Sequence, residues 1–433
     1  MNDKSSIFQM ILIGVFIVGA LIAVLLFSGI IPGFNKSNST FAGNVVIWGS
    51  IPQNQVSTFI NEFKNTNKDK YSISYIYKNP ATLAEDLVGT LARGSGPDLV
   101  FISDSDIYPL RDFIEPISYS RLPIRDFRNV FIEGSEIFTN NQGVIALPLS
   151  VDPLVLYYNR DSYTKKSILQ APQTWSEYIL NHQKLTTVDN NSFISSSGTA
   201  FGEFSNVPNA KEILIALIMQ VGGSFTTLST EGIYKSGLNG SSNHSSILSA
   251  IDFFTHFSMS GKAEYSWNKS LPNAKSAFSS GFLANYFGFA SELKDLQTRN
   301  PNLNLDVTNL PQVSLTTRPL TYGHFTGIAI LRSSRNKNTA ISVAFDLANK
   351  TNAAKISELS KLPPARRDLL VLETSDPFLD TFYQSAIFAK SWVDPNPNLS
   401  KIVFSNLINV VVTRTMSTEQ AFIRMISEFG SLF

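Results

Sequence analysis

From Met10 to Ile31 the chain carries no charge, and Ser28 is the only polar side chain in the run. At about 1.5 Å per residue, such a stretch crosses a hydrocarbon core of roughly 30 Å. It exceeds the ~7–15-residue apolar region of a cleaved signal peptide, and no A-x-A-like cleavage site follows. Lys4 before it and Lys36 after it give little positive-inside bias, so the short N-terminal tail makes an N-in, C-out signal anchor the simplest topology. Pro32–Gly43 is small, polar and punctuated by Gly and Pro, the composition of a flexible spacer.

Beyond the spacer the apolar positions fall into regular periods. Val45–Trp48 reads as a short strand, and Val56, Phe59, Ile60 and Phe63 form one face of a helix. Ile73, Tyr75 and Tyr77 alternate as in a strand, Leu83, Leu87 and Leu91 make a second helical stripe stopped by Gly94, and Leu99–Ile102 is a third strand. This β-α-β-α-β order predicts an α/β fold with a parallel sheet. Such sheets bind ligands beyond the carboxyl ends of their strands. Here those ends are Trp48-Gly49-Ser50, Lys78-Asn79 and Ser103-Asp104-Ser105-Asp106.

Ala146–Asn159 contains two apolar stretches that Ser150-Val151-Asp152-Pro153 is expected to break, a place for the chain to pass between lobes. Thr174 and Glu177 form a capping box that opens a helix. Leu214, Leu217, Ile218 and Val221 make a further helical stripe, and helices are also expected over 245–258 and 274–280. Leu283–Phe287 reads as a strand. Leu320–Arg332 is strand-like and leads into a helix over Lys337–Lys350, while the segment from Asp376 is mostly helical, with a second capping box at Ser417 and Gln420.

The 35 basic and 34 acidic residues are interspersed, so no basic patch marks a nucleic-acid footprint. Charged residues are only 16% of the chain while aromatics reach 12%, a surface suited to neutral polar molecules held by hydrogen bonds and stacking. There is no cysteine, which excludes disulfides, thiol catalysis, Cys-ligated metals and a lipid-modified N-terminal cysteine. The apolar run is then left as the tether. The four histidines (His182, His244, His256 and His324) lack metal-ligand spacing, and no nucleophile elbow, P-loop or dinucleotide fingerprint occurs.

Tyr157-Tyr158 could ligate ferric iron, but their alternating extended context favours core packing. Asp104 and Asp106 read as an acid/base pair, or as a helix cap with a ligand to hydroxyls; Asp98 reads as structural. Trp48 at a strand end and Trp267 in the polar loop Tyr265–Asn268 are expected to stack on sugar rings, with Trp392 at a helix end and Trp175 a structural staple.

The ordered stretches VVIWGS (45–50), GSGPDLVFI (94–102), ALPLSVDPLVLYYNRD (146–161), APQTWSEY (171–178), YSWN (265–268), AFSSGFLANYFGFASEL (277–293) and LPPARRD (362–368) span most of the chain after the spacer. With them the chain resembles the family-1 extracellular solute-binding proteins of ABC importers, the group that includes maltodextrin-binding proteins. The resemblance implies a two-lobed periplasmic-binding-protein-like fold (class II type), its lobes joined by two or three crossing segments. The apolar run and the spacer make residues 1–31 the anchor and 32–42 the linker; the rest is divided as the resemblance implies. Lobe 1 is 43–150 with 320–370, and lobe 2 is 152–317 with 372–433. Ligand contacts are expected at Trp48, Ser50, Asn79, Asp104, Asp152, Trp267, Tyr286, Gly288, Phe289, Ser291 and Trp392, with no catalytic residue, metal or cofactor.

Two departures stand out: the family's cysteine lipobox is replaced by the apolar run, and Phe289 and Ser291 stand where maltodextrin binders place tryptophan. The implied function is capture of a small solute, a sugar above others, for delivery to ABC permease subunits from an extracytoplasmic, membrane-anchored position. Alternatives are capture of a phosphodiester, peptide or iron, or presentation of a ligand to a sensor kinase. A glycoside hydrolase would need two carboxylates ~5–9.5 Å apart, for which Asp104 and Asp152 are the candidates.

Overall fold

The computed structural model describes residues 43–238, 243–372 and 374–433. The run Met10–Ile31 lies outside them, and among the described residues no helix is long and apolar enough to cross a membrane.

The first three strands form as their periodicity predicts. Strand β1 (Asn44–Gly49) pairs in parallel with β2 (Ser72–Tyr77) on one side and β3 (Leu99–Ser103) on the other. Helices α1 (Gln53–Asn67) and α2 (Leu83–Ala92) connect them, and α2 stops before Gly94, which sits at φ +74°. Side chains alternate across a strand, so Val45 and Ile47 pack with Phe59 and Phe63 of α1. Trp48, Val100 and Ile102 pack with Leu83 and Leu87 of α2.

The expected break at Ser150–Pro153 does not occur: β4 (Leu147–Asn159) is one continuous strand. It is continued by antiparallel pairing with β7 (Thr321–Leu331), from Pro153↔Gly323 to Ser150↔Thr326 and on to Leu147↔Ile328. A register shift between Thr326 and Gly327 absorbs the irregularity instead. Strands β5 (Asn285–Phe289) and β6 (Leu305–Thr308) flank the second half of β4, both antiparallel. The resulting nine-stranded sheet runs β5-β4-β7-β3-β1-β2 along its main path.

The sheet is continuous, but the apolar cores on it are separate. Leu147, Leu149 and Val151 belong with the residues around β1–β3, whereas Leu154–Tyr157 belong with a large core built from residues 175–310 and 403–429. β7 makes the same passage: Phe325 lies in the first region and Tyr322 in the second. A third crossing follows β8 (Ala389–Lys390), which pairs with the start of β7. Ala389 and Val393 pack in the first region and Trp392 in the second. The molecule is thus two α/β lobes joined by three crossing segments, and their junction is where residues of both lobes meet.

Helix placement follows the sequence closely. The capping boxes at Thr174 and Ser417 are both formed. The helix expected over Lys337–Lys350 forms as Lys337–Leu347, and a further helix, Lys350–Ser360, follows because the Asn349 side chain accepts from the Asn352 amide and caps it.

Candidate functional site

The carboxyl end of β3 delivers two aspartates with opposite fates. Asp106 is spent locally: its carboxylate accepts from the Ser103 amide at 2.8 Å and the Ser103 hydroxyl at 2.6 Å, closing a capping box. Asp104 turns toward the crossing segments. Its side chain is 3% exposed and forms an ion pair with His324 Nδ1 at 3.2 Å. It also accepts from the Phe325 amide at 3.2 Å, the Tyr322 hydroxyl at 3.3 Å and the Ser391 hydroxyl. One carboxylate of lobe 1 therefore grips two of the three crossings.

Burial opposes ionisation of Asp104, but the His324 charge and the surrounding donors prevail and hold its carboxyl below the usual range. For His324, burial works against the cation. The Asp104 charge and hydrogen bond outweigh it and push the imidazole up to about 9.

Lobe 2 covers the other side. Phe289, at the end of β5, lies with its ring 4.8 Å from His324 and 6.2 Å from Tyr322. The turn that follows is fixed from behind: Tyr157 donates to the Phe289 carbonyl at 2.8 Å, and Glu292 accepts from the Phe289 amide at 2.9 Å. Glu292 is in turn neutralised by Lys275 at 2.6 Å and bound by the Tyr286 hydroxyl at 2.7 Å. The exposed Ser291 donates its amide to Asp152 on β4 at 3.0 Å. Burial raises the Asp152 carboxyl to about 6, with the Ser291 contact pulling the other way.

Of the residues singled out in the sequence, the structure brings Asp104, Asp152, Phe289 and Ser291 to this junction. Ser50, half-buried, and Asn79, exposed, lie on the loops after β1 and β2.

The tryptophans require correction. Trp267 is 0% exposed, deep in the lobe 2 core, with its indole donating to Asn206 Oδ1 at 3.0 Å. Trp392 lies in the third crossing, buried against Phe225 and Phe429. Trp48 is a strand residue lidded by the Lys78 ammonium 4.0 Å above its ring, so solvent scarcely reaches it. Tyr286 is buried too, its hydroxyl spent on Glu292. Gly288 is required by packing, since a Cβ there would meet the Tyr286 ring at 2.5 Å. The loop around Trp267 is polar, yet its side chain points inward.

Sequence reasoning passed over His324, Tyr322 and Ser391. The signal available was the segment Thr321–Leu331, an apolar strand that carries Tyr322 and His324 at a spacing of two, hence on one face.

Ser391 also borders a cavity of about 550 Å³ whose walls include Glu133, Thr226, Tyr234, Lys390 and Trp392. Its charges are mutually satisfied, Glu133 with Lys390 at 2.8 Å and Arg128 with Glu136 at 2.8 Å. The His324–Asp152 side of the junction, by contrast, keeps a half-open imidazole and a carboxylate without an ion-pair partner among the described residues. It offers hydrogen-bond donors, acceptors and an aromatic face, the means of holding a polar solute. Asp104 is saturated by its four partners and shielded from solvent, which removes it as a general acid or base.

The model of the family described as bacterial extracellular solute-binding protein matches residues 52–349. Solved structures share the fold over most of both chains. A cyclo/maltodextrin-binding protein complexed with maltotetraose is 17% identical with a TM-score of 0.71, over 90% of this chain and 96% of that one. A cyclic α-maltosyl-1,6-maltose binding protein from Arthrobacter globiformis is 12% identical with a TM-score of 0.73, over 90% and 98%. The maltose-binding periplasmic protein of Listeria monocytogenes, in complex with maltose, is 15% identical with a TM-score of 0.68, over 90% and 97%.

Proposed function

Because the chain belongs to the bacterial extracellular solute-binding proteins, a family of binding proteins rather than enzymes, we propose that it captures a carbohydrate between its lobes and hands it to an ABC permease. The observation that carries this reading is the junction itself. Polar groups of both lobes, Asp152, Ser291 and His324 with the ring of Phe289, converge where the crossing segments join the lobes. Closure about such crossings couples ligand capture to a shape that a permease can recognise. The structural relatives named for maltotetraose and maltose support a sugar as the solute.

We assign lobe 1 to 43–150 with 320–370 and lobe 2 to 152–317 with 372–433; the apolar cores support the boundary between Val151 and Leu154 and the return of 403–429 to lobe 2. The test is a thermal-shift screen of the full-length chain, in detergent, against a carbohydrate library. A bound sugar at ~100 times its Kd adds about 2.7 kcal/mol to stability. A library that leaves the melting temperature unmoved throughout overturns the assignment.

The second element is the tether. The uncharged run Met10–Ile31 and the absence of cysteine support a single N-terminal span that places the lobes outside the cell membrane. Fractionation should recover the intact chain with membranes, and protease added to whole cells should digest the lobes. Quantitative release of the chain into the medium, or a mature N-terminus beyond Ile31, contradicts it.

A further inference from the structure

His324 is placed as a recognition group. Its Nδ1 is committed to Asp104, its ring is packed against Phe289 and Tyr322, and 39% of its side-chain surface remains open. Nε2 has no protein partner among the described residues. The ring is thus held by the Asp104 contact and two aromatic neighbours while Nε2 is left free to donate, so little freedom is left to lose when a solute binds.

The charges around it are unbalanced. From β3 comes Asp104, already paired; from β4 comes Asp152; from the first turn of the helix Ala210–Gln220, which packs on β7, comes Glu212. Neighbouring charges cancel elsewhere: Lys211 is bound to Asp394 at 2.6 Å, and Lys275 to Glu292 at 2.6 Å. Among the described residues neither Asp152 nor Glu212 has an ion-pair partner. The charge of Asp152 and Glu212 thus adds to that of Asp104 around one cation, an excess that half-buried surroundings screen little.

We propose that His324, held by Asp104, donates through Nε2 to the solute, and that Asp152 and Glu212 make the cleft selective for uncharged sugars by repelling sugar acids. This rests on the reading of the cleft as a carbohydrate site. It adds a specificity that comes from a repulsive element as well as an attractive one. Since Asp152 is raised to about 6, the exclusion is present at pH 7 and weakens as the pH falls toward 5.

Calorimetry on the full-length chain, in detergent, tests it with two sets of probes: maltotriose, mannotriose, cellotriose and xylotriose, and then trigalacturonate and triglucuronate. The expected result is that a neutral trisaccharide binds and the uronates bind at least tenfold more weakly at pH 7. Asp152→Asn with Glu212→Gln should close most of that gap, and lowering the pH to 5 should narrow it in the wild type only. His324→Ala should weaken the neutral sugar at least tenfold. His324→Gln, which keeps a donor, should recover most of that affinity; both substitutions lower the melting temperature by unpairing Asp104, so affinity is read on the folded fraction. Uronates that match or exceed the neutral sugars, or a uronate gap indifferent to Asp152 and Glu212, overturn the inference while leaving the carbohydrate reading intact. If no member of either set binds, the carbohydrate reading fails and this inference fails with it.

Discussion

Trp267→Ala is expected to destabilise the unliganded protein by about 3–5 kcal/mol, the range for emptying a buried aromatic site, and to leave solute affinity of the folded fraction unchanged. The indole is wholly enclosed in the lobe 2 core, near Phe282 and other apolar neighbours, so its removal leaves a cavity that the surrounding helices cannot fully collapse. The substitution also strands Asn206 Oδ1, a buried acceptor that now receives the indole N–H at 3.0 Å, and an unmet buried group adds to the loss. For a lobe of this size the melting temperature should fall by roughly 10 °C. Differential scanning calorimetry with and without the sugar found in the screen separates the outcomes. A near-normal melting temperature with lost binding would mean that the indole faces the solute and that the cleft has been misplaced.

Asp104→Ala should be nearly as damaging, at about 3 kcal/mol. That is the low end of the range for breaking a buried pair, because His324 is 39% exposed and partly screened. The cost arises at the crossings: the substitution leaves the His324 imidazolium, the Phe325 amide and the Tyr322 and Ser391 hydroxyls without their common acceptor.

The pH dependence gives the pair its signature. His324 is raised in the folded state to about 9, so its contribution is complete below the unfolded value of about 6.5 and disappears as the pH rises through 9. Asp104 is lowered, so its contribution is complete above about 3.9 and is lost as the medium is made more acid. Wild-type stability should therefore carry a component that peaks between these limits and declines above pH 6.5, and Asp104→Ala should abolish that decline. Denaturant titrations at pH 6 and 9 measure it. Equal losses at both values would show that the pair is held by packing rather than charge.

Local pattern carried the first β-α-β-α-β unit, up to Ser103, almost unaided. The short apolar runs at Val45 and Leu99, the alternation at Ile73 and the helical stripes at Val56 and Leu83 became β1, β3, β2, α1 and α2, because each has apolar positions that its own kind of element buries. The capping boxes at Thr174 and Ser417 did the same for two later helices. The misreadings share one cause. Asp152-Pro153 resembles a break when seen along the chain. Across the sheet, however, β7 supplies the hydrogen bonds and Ser291 satisfies the carboxylate, so the strand continues.

What the amino-acid sequence determined by itself is which segments are strands and helices, the uncharged run at Met10–Ile31, and the family to which the ordered motifs point. What only the tertiary structure decided is which polar and aromatic residues face the cleft. Period reports which side chains share a face of one element, but not whether that face is later covered. Trp267 and Trp392 lie in polar surroundings along the chain and are enclosed by elements distant in sequence. Asp104 and His324 are separated by 220 positions, and they meet because antiparallel pairing of β7 with β3 sets Thr326 opposite Ser103. Such a contact depends on the register of crossing strands, a non-local quantity that no window of sequence contains.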